Sequence, residues 1–147
     1  EETFAEAIKL GPVVAVKDAV GDFARGVRLR EMGYAVYSGD DIANLGWLAH
    51  GAAGVVSVVG HAAGNQIKAM TEAFHAGDHA EALEIFTRML PAIDAIMGVS
   101  NYGATTAKAA LQLLGVIDNR HVRSPLVELD EDEVSALRTG LEAAGLI

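Results

Sequence analysis

Three short apolar runs, spaced by helix-like segments, constrain this chain more than any other feature. Val13 to Val16, Tyr34 to Tyr37 and Val55 to Val59 are each near-continuously apolar and bounded by glycine-containing turns. Runs of this length and valine content read as strands buried on both faces. That is the habit of a parallel sheet covered by helices. The intervening segments fit. Phe4, Ala7 and Ile8 recur at helical spacing from Thr3 to Leu10, and Gly11-Pro12 stops them. Gly21-Asp22 opens a helix whose apolar positions are Phe23, Val27, Leu29 and Met32, leaving Arg25, Arg28 and Arg30 for an exposed face. Gly33 ends it in the manner of a C-cap. Ser38-Gly39-Asp40-Asp41 is a turn with N-capping chemistry before a helix from Ile42 to His50. The order is therefore αβαβαβ. Parallel strands bring their C-terminal ends to one rim, here Lys17, Ser38-Gly39 and Gly60-His61.

The strands then stop. His61 to Ala76 has a helical pattern, and Gly77-Asp78 breaks it. His79 to Met97 is a long amphipathic helix with Pro91 inside, where a kink is expected. Ala104 to Leu114 is another helix, Asn119 to Leu129 reads as extended, and Asp130 caps a last helix that runs to Ala144. Three parallel strands followed only by helices leave a valine-rich sheet edge open. The simplest repair is further strands before residue 1. On that reading the chain is the tail of a larger α/β protein, and the glutamate at position 1 agrees with it.

Composition excludes several classes of function. A net charge of −9 opposes nucleic-acid binding, which needs a basic stripe. No apolar stretch approaches the ~18 residues that span a bilayer. There is no cysteine, hence neither a disulfide nor thiolate chemistry.

Few residues offer reactive chemistry. Lys17 ends the first apolar run. Burial there disfavours the charged ammonium and leaves neutral amine, the form that attacks a carbonyl to make a Schiff base. The alternative is a lysine whose long stem reaches water. Asp40 and Asp41 are candidate metal ligands, but adjacent acids at a helix start read first as caps. His75 and His79 have i, i+4 spacing, yet Gly77-Asp78 lies between them and no third ligand is near, so no metal is expected. His61 sits beside the expected rim.

Taken together, three segments resemble one family. Val13-Val14-Ala15-Val16-Lys17-Asp18-Ala19 with Gly21-Asp22 is similar to the lysine segment of the dihydrodipicolinate synthase and N-acetylneuraminate lyase family. Tyr37-Ser38-Gly39-Asp40-Asp41 resembles the family's next strand end, and Gly54-Val55-Val56-Ser57-Val58 its last barrel strand. Thr106 to Leu111 and Arg123 to Val127 resemble its C-terminal helical region.

The resemblance implies the C-terminal part of a (β/α)8 barrel. Residues 1–60 would supply strands six to eight, and 61–147 the last barrel helix and a small all-helical domain. It implies class I aldolase chemistry without a cofactor. Lys17 would form an imine with pyruvate, and the derived enamine would attack an aldehyde acceptor, aspartate semialdehyde in lysine biosynthesis. Val56 would contact pyruvate through its backbone, and Gly39 would lie at the pocket floor. The family's catalytic tyrosine and carboxylate-binding threonines lie on earlier strands, so this chain alone is expected to be inactive. The implied partners are the N-terminal barrel half and further copies in a cytoplasmic homotetramer. Two alternatives stand beside this one. One is another family aldolase, acting on N-acetylneuraminate or a 2-keto-3-deoxy sugar acid. The other is a non-catalytic fragment or oligomerisation module.

Overall fold

A computed structural model describes residues 2–147. The chain divides into two compact units, Glu1–Ser57 and Val58–Ile147. The first holds helix α1 (Glu2–Ala7), strand β1 (Ala15–Asp18), helix α2 (Phe23–Glu31), strand β2 (Ala35–Ser38), helix α3 (Asn44–Ala49) and strand β3 (Gly54–Val55). Among the described residues the sheet is three-stranded, parallel, and ordered β1-β2-β3. Register pairs Val16 with Val36, Lys17 with Tyr37 and Asp18 with Ser38. It also pairs Tyr37 with Gly54 and Ser38 with Val55.

Side-chain alternation sorts these positions. Val36, Asp18 and Ser38 are buried and Val16 is half-buried, whereas Ala15 and Lys17 are exposed. The core of this unit is Leu29, Tyr34, Val36, Trp47 and Ala52, with Phe4, Ile8, Val16 and Phe23 packed against it. Only one face of β1 is covered among the described residues, so the expectation of a strand buried on both faces is not met. Helix α2 ends as glycine at C′ dictates. Gly33 takes φ 100°, its N–H bonds the Arg30 carbonyl, and Tyr34 N–H bonds that of Leu29. Gly26 lets the helix approach closely, since a Cβ there would lie 2.2 Å from the Trp47 ring.

Several sequence expectations are corrected. The first strand begins two residues late, at Ala15, and includes Lys17. The third spans two residues rather than five, because the chain leaves the ladder after Val55. The rim therefore carries Val56-Ser57, while Gly60-His61 opens the next helix. Asp40 and Asp41 do not cap α3 through their side chains. A short 3-10 turn, Asp41–Ala43, precedes that helix, and Asp41 is buried. Arg25 is not part of an exposed face but is half-buried in an ion pair.

The second unit is helical: α4 (Gly60–His75), α5 (His79–Met97), α6 (Ala104–Leu113) and α7 (Glu131–Ala143). Its core includes Met70, Met89, Ile93, Ile96, Leu137 and Leu141. Non-helical backbone at Ala63 (φ −123°, ψ 38°) bends the first turn of α4. Helix α5 runs through Pro91 without a break. Gly140 of α7 packs on that turn; a Cβ there would lie 2.4 Å from Ala95 Cβ and 2.7 Å from the Pro91 carbonyl. Asp130 and Glu133 close a capping box at the start of α7. Each side chain accepts from the other's backbone N–H, at 2.8 and 3.0 Å. The segment from 119 to 129 forms no strand and is anchored by buried Val122 and Leu129.

Candidate active site

The strand ends of the first unit converge on three residues. Hydrogen bonding continues one residue past each ladder: Gly39 N–H donates to the Asp18 carbonyl and Val56 N–H to that of Ser38, both at 2.7 Å. Gly39 is thereby held against the end of β1. Lys17 lies along it. A Cβ on residue 39 would sit 2.5 Å from Lys17 Cε, 2.9 Å from its Cγ and 3.0 Å from the Asp18 carbonyl oxygen. Absence of a side chain at 39 is what lets the lysine stem lie down there. Val56 is 46 % exposed, on the last residue bonded to β2.

Lys17 itself is exposed in this chain, and the expectation of burial is corrected. Among the described residues no carboxylate pairs with its amine. Tyr37, its register partner, shares its face of the sheet and packs on Gly54, where a Cβ would lie 3.3 Å from the ring.

Two buried carboxylates frame these residues, and sequence reading did not find either role. Asp18, next to Lys17 but on the opposite face, accepts from Val20 N–H at 2.8 Å and from Arg25 Nη1 at 2.7 Å. Its side chain is 1 % exposed and that of Arg25 25 %. The guanidinium also lies 5.2 Å from the centre of the Phe4 ring. Asp41 accepts from Ser57 Oγ and, at 3.2 Å, from Asn44 Nδ2. An acid read locally as a cap is here an acceptor for a residue sixteen positions away.

The histidines lie elsewhere. His61, His75 and His79 are exposed residues of the helical unit, and the His79 ring packs 4.6 Å from that of Phe74. No group of three metal-ligating side chains occurs among the described residues. Among the cavities of the helical unit are two bordered by described residues. One, of about 250 Å³, is bordered by Gln66, Ile85 and Met89; the other, of about 450 Å³, by Asn101, Val127 and Glu133. Lys17, Gly39 and Val56 border neither of them.

Residues 1–144 match the model of the dihydrodipicolinate synthetase family. The chain belongs to that family. It is 46% identical to the 4-hydroxy-tetrahydrodipicolinate synthase of Kineococcus radiotolerans, over 99% of this chain and 47% of the relative. Against the enzyme of the same name from Bifidobacterium animalis subsp. lactis the identity is 41%, over 99% and 48%. A solved structure of the chloride-inhibited dihydrodipicolinate synthase of Acinetobacter baumannii, complexed with pyruvate, superposes with a TM-score of 0.87 at 30% identity. That match covers 99% of this chain and 50% of the other. The chain thus spans about half the length of the curated relatives it matches. Its fold is α/β, the last three strands of a (β/α)8 barrel followed by an all-helical part, as in the C-terminal half of those structures. No helix among the described residues is long and apolar enough to cross a membrane.

Proposed function

We propose that this chain is the C-terminal half of a Schiff-base-forming lyase that condenses pyruvate with aspartate semialdehyde in lysine biosynthesis. Residues 1–60 supply barrel strands six to eight, and 61–147 the last barrel helix and the helical domain. The observation that carries the reading is the Lys17 stem laid against Gly39 at the strand ends, in a chain whose relatives bear the synthase name. The Acinetobacter baumannii relative, complexed with pyruvate, supports the choice of keto acid.

In this reading the free amine of Lys17 attacks the keto carbon and water leaves, giving an imine. Loss of a methyl proton gives the enamine. Its carbon attacks the aldehyde carbon, and hydrolysis of the new imine returns the amine. Gly39 forms the floor because nothing bulkier leaves room for the stem. Val56 contacts the keto acid through its carbonyl, since its N–H is engaged by Ser38. The family's remaining catalytic groups lie on strands outside this chain, so the isolated chain is inactive. The working enzyme is a cytoplasmic homo-oligomer.

Borohydride reduction of the full-length enzyme with pyruvate tests this. A pyruvyl adduct is expected on Lys17 and absent in Lys17→Arg. An adduct on another lysine, or none, overturns the assignment. Turnover with aspartate semialdehyde, and not with sugar-acid-derived aldehydes, separates the synthase from other aldolases.

A further inference from the structure

We infer that Asp41 is a positioning residue for the keto acid, acting through Ser57 to fix the backbone of Val56. The inference rests on the function proposed above and extends it to a residue that touches no substrate. β3 pairs with β2 over only two residues, Gly54 and Val55. Beyond them the Val56 N–H still bonds the Ser38 carbonyl. The next residue, Ser57, is held by a side chain, its hydroxyl donating to the Asp41 carboxylate. Asp41 is 1% exposed, and the same carboxylate oxygen accepts from Asn44 Nδ2 at 3.2 Å, with Asn44 also 1% exposed. A carboxylate is removed from water at a cost that only such bonds offset. This one follows Gly39 by two residues. This buried group therefore ties the segment that backs the Lys17 stem to the segment that presents Val56. Loss of the tie loosens the segment that carries Val56 without removing any atom that meets the substrate.

The test uses steady-state kinetics of the full-length enzyme with Asp41→Ala, Asp41→Asn and Ser57→Ala. Removing a buried hydrogen-bond partner is worth about tenfold in an equilibrium, so KM for pyruvate should rise about tenfold in Asp41→Ala and Ser57→Ala. KM for the aldehyde should stay within about twofold, and borohydride should still trap the adduct at saturating pyruvate. Asp41→Asn keeps one acceptor oxygen for Ser57 and should recover part of the pyruvate affinity. The double variant Asp41→Ala, Ser57→Ala should be no worse than either single one. Ser57→Ala removes one oxygen atom and keeps the experiment decisive if Asp41→Ala does not fold. An unchanged pyruvate KM in Ser57→Ala, equal rises in both KM values, or additive losses in the double variant overturn the inference. Failure of the unaltered enzyme to form any pyruvyl adduct instead refutes the proposed function, and the inference with it.

Discussion

Replacing Gly39 by alanine should silence the chemistry while leaving the fold in place. The new Cβ would meet Lys17 Cε at 2.5 Å and Cγ at 2.9 Å. Non-bonded carbons rest at roughly 3.5–4.0 Å, so the lysine stem must retreat by at least about 1 Å. The backbone of residue 39 cannot retreat instead without loosening its 2.7 Å bond to the Asp18 carbonyl. Lys17 is exposed, so its stem can swing into solvent at little cost in stability. Under the proposed function the reacting nitrogen moves with it, and a misplacement of ~1 Å can cost about 10²-fold in rate. The assay is the rate of borohydride-trapped adduct formation with pyruvate on the full-length enzyme, read by mass spectrometry beside a melting curve. The expected result is a rate about 100-fold lower with Tm within about 2 °C. A normal trapping rate at unchanged Tm would show that the stem does not depend on the bare backbone at 39. A fall in Tm of several degrees would show that the Asp18 carbonyl, 3.0 Å from the new atom, gave way rather than the stem.

Two further outcomes concern stability. Asp18→Ala leaves the Arg25 guanidinium and Val20 N–H without their acceptor; because Arg25 is 25 % exposed and can rehydrate, the loss should sit at the low end for a broken buried pair, about 3 kcal/mol. A melting temperature equal to that of the unaltered enzyme would refute the clamp. Gly140→Ala opposes two rules: helix propensity alone gives a gain of about 1 kcal/mol, whereas forcing a methyl against Ala95 and the Pro91 carbonyl gives a loss of about 1–3 kcal/mol. Thermal or denaturant unfolding decides by sign, and a more stable variant would mean that α5 and α7 separate freely.

Periodicity carried much of this architecture. The amphipathic spacing of the helical unit and the acid run at Asp130 were legible because helices and caps are local objects. What escaped the sequence was non-local. The valine run from Val55 to Val59 reads as one strand, yet hydrogen-bond partners, not hydropathy, end a ladder: register pairing stops at Val55 and the last backbone bond to β2 comes from the Val56 N–H. Asp41 stands where a cap belongs, but its bond goes to Ser57, a partner that only the folded sheet brings near. Arg25 shares a helical pattern with exposed arginines, and Asp18 on the preceding strand draws it inward. Gly39 was legible as part of a turn, and the family resemblance set it at a pocket floor. That the crowding atom belongs to Lys17 was not, since neighbouring strands meet by register. The apolar neighbours of Lys17 left both burial and a stem reaching water open, the resemblance favoured burial, and alternation on a half-covered strand sends it to the open face.

That pleat has a practical reach. Positions 17 and 18 are consecutive in the gene yet, under the proposed function, answer to separate demands, one to turnover and the other to durability. A lysine variant should accumulate as an intact, inert protein, fit for capturing unreacted ligands in crystals. Its aspartate neighbour, altered, should yield less protein that still works while it lasts. Adjacent codons thus provide matched controls for telling a broken tool from a scarce one.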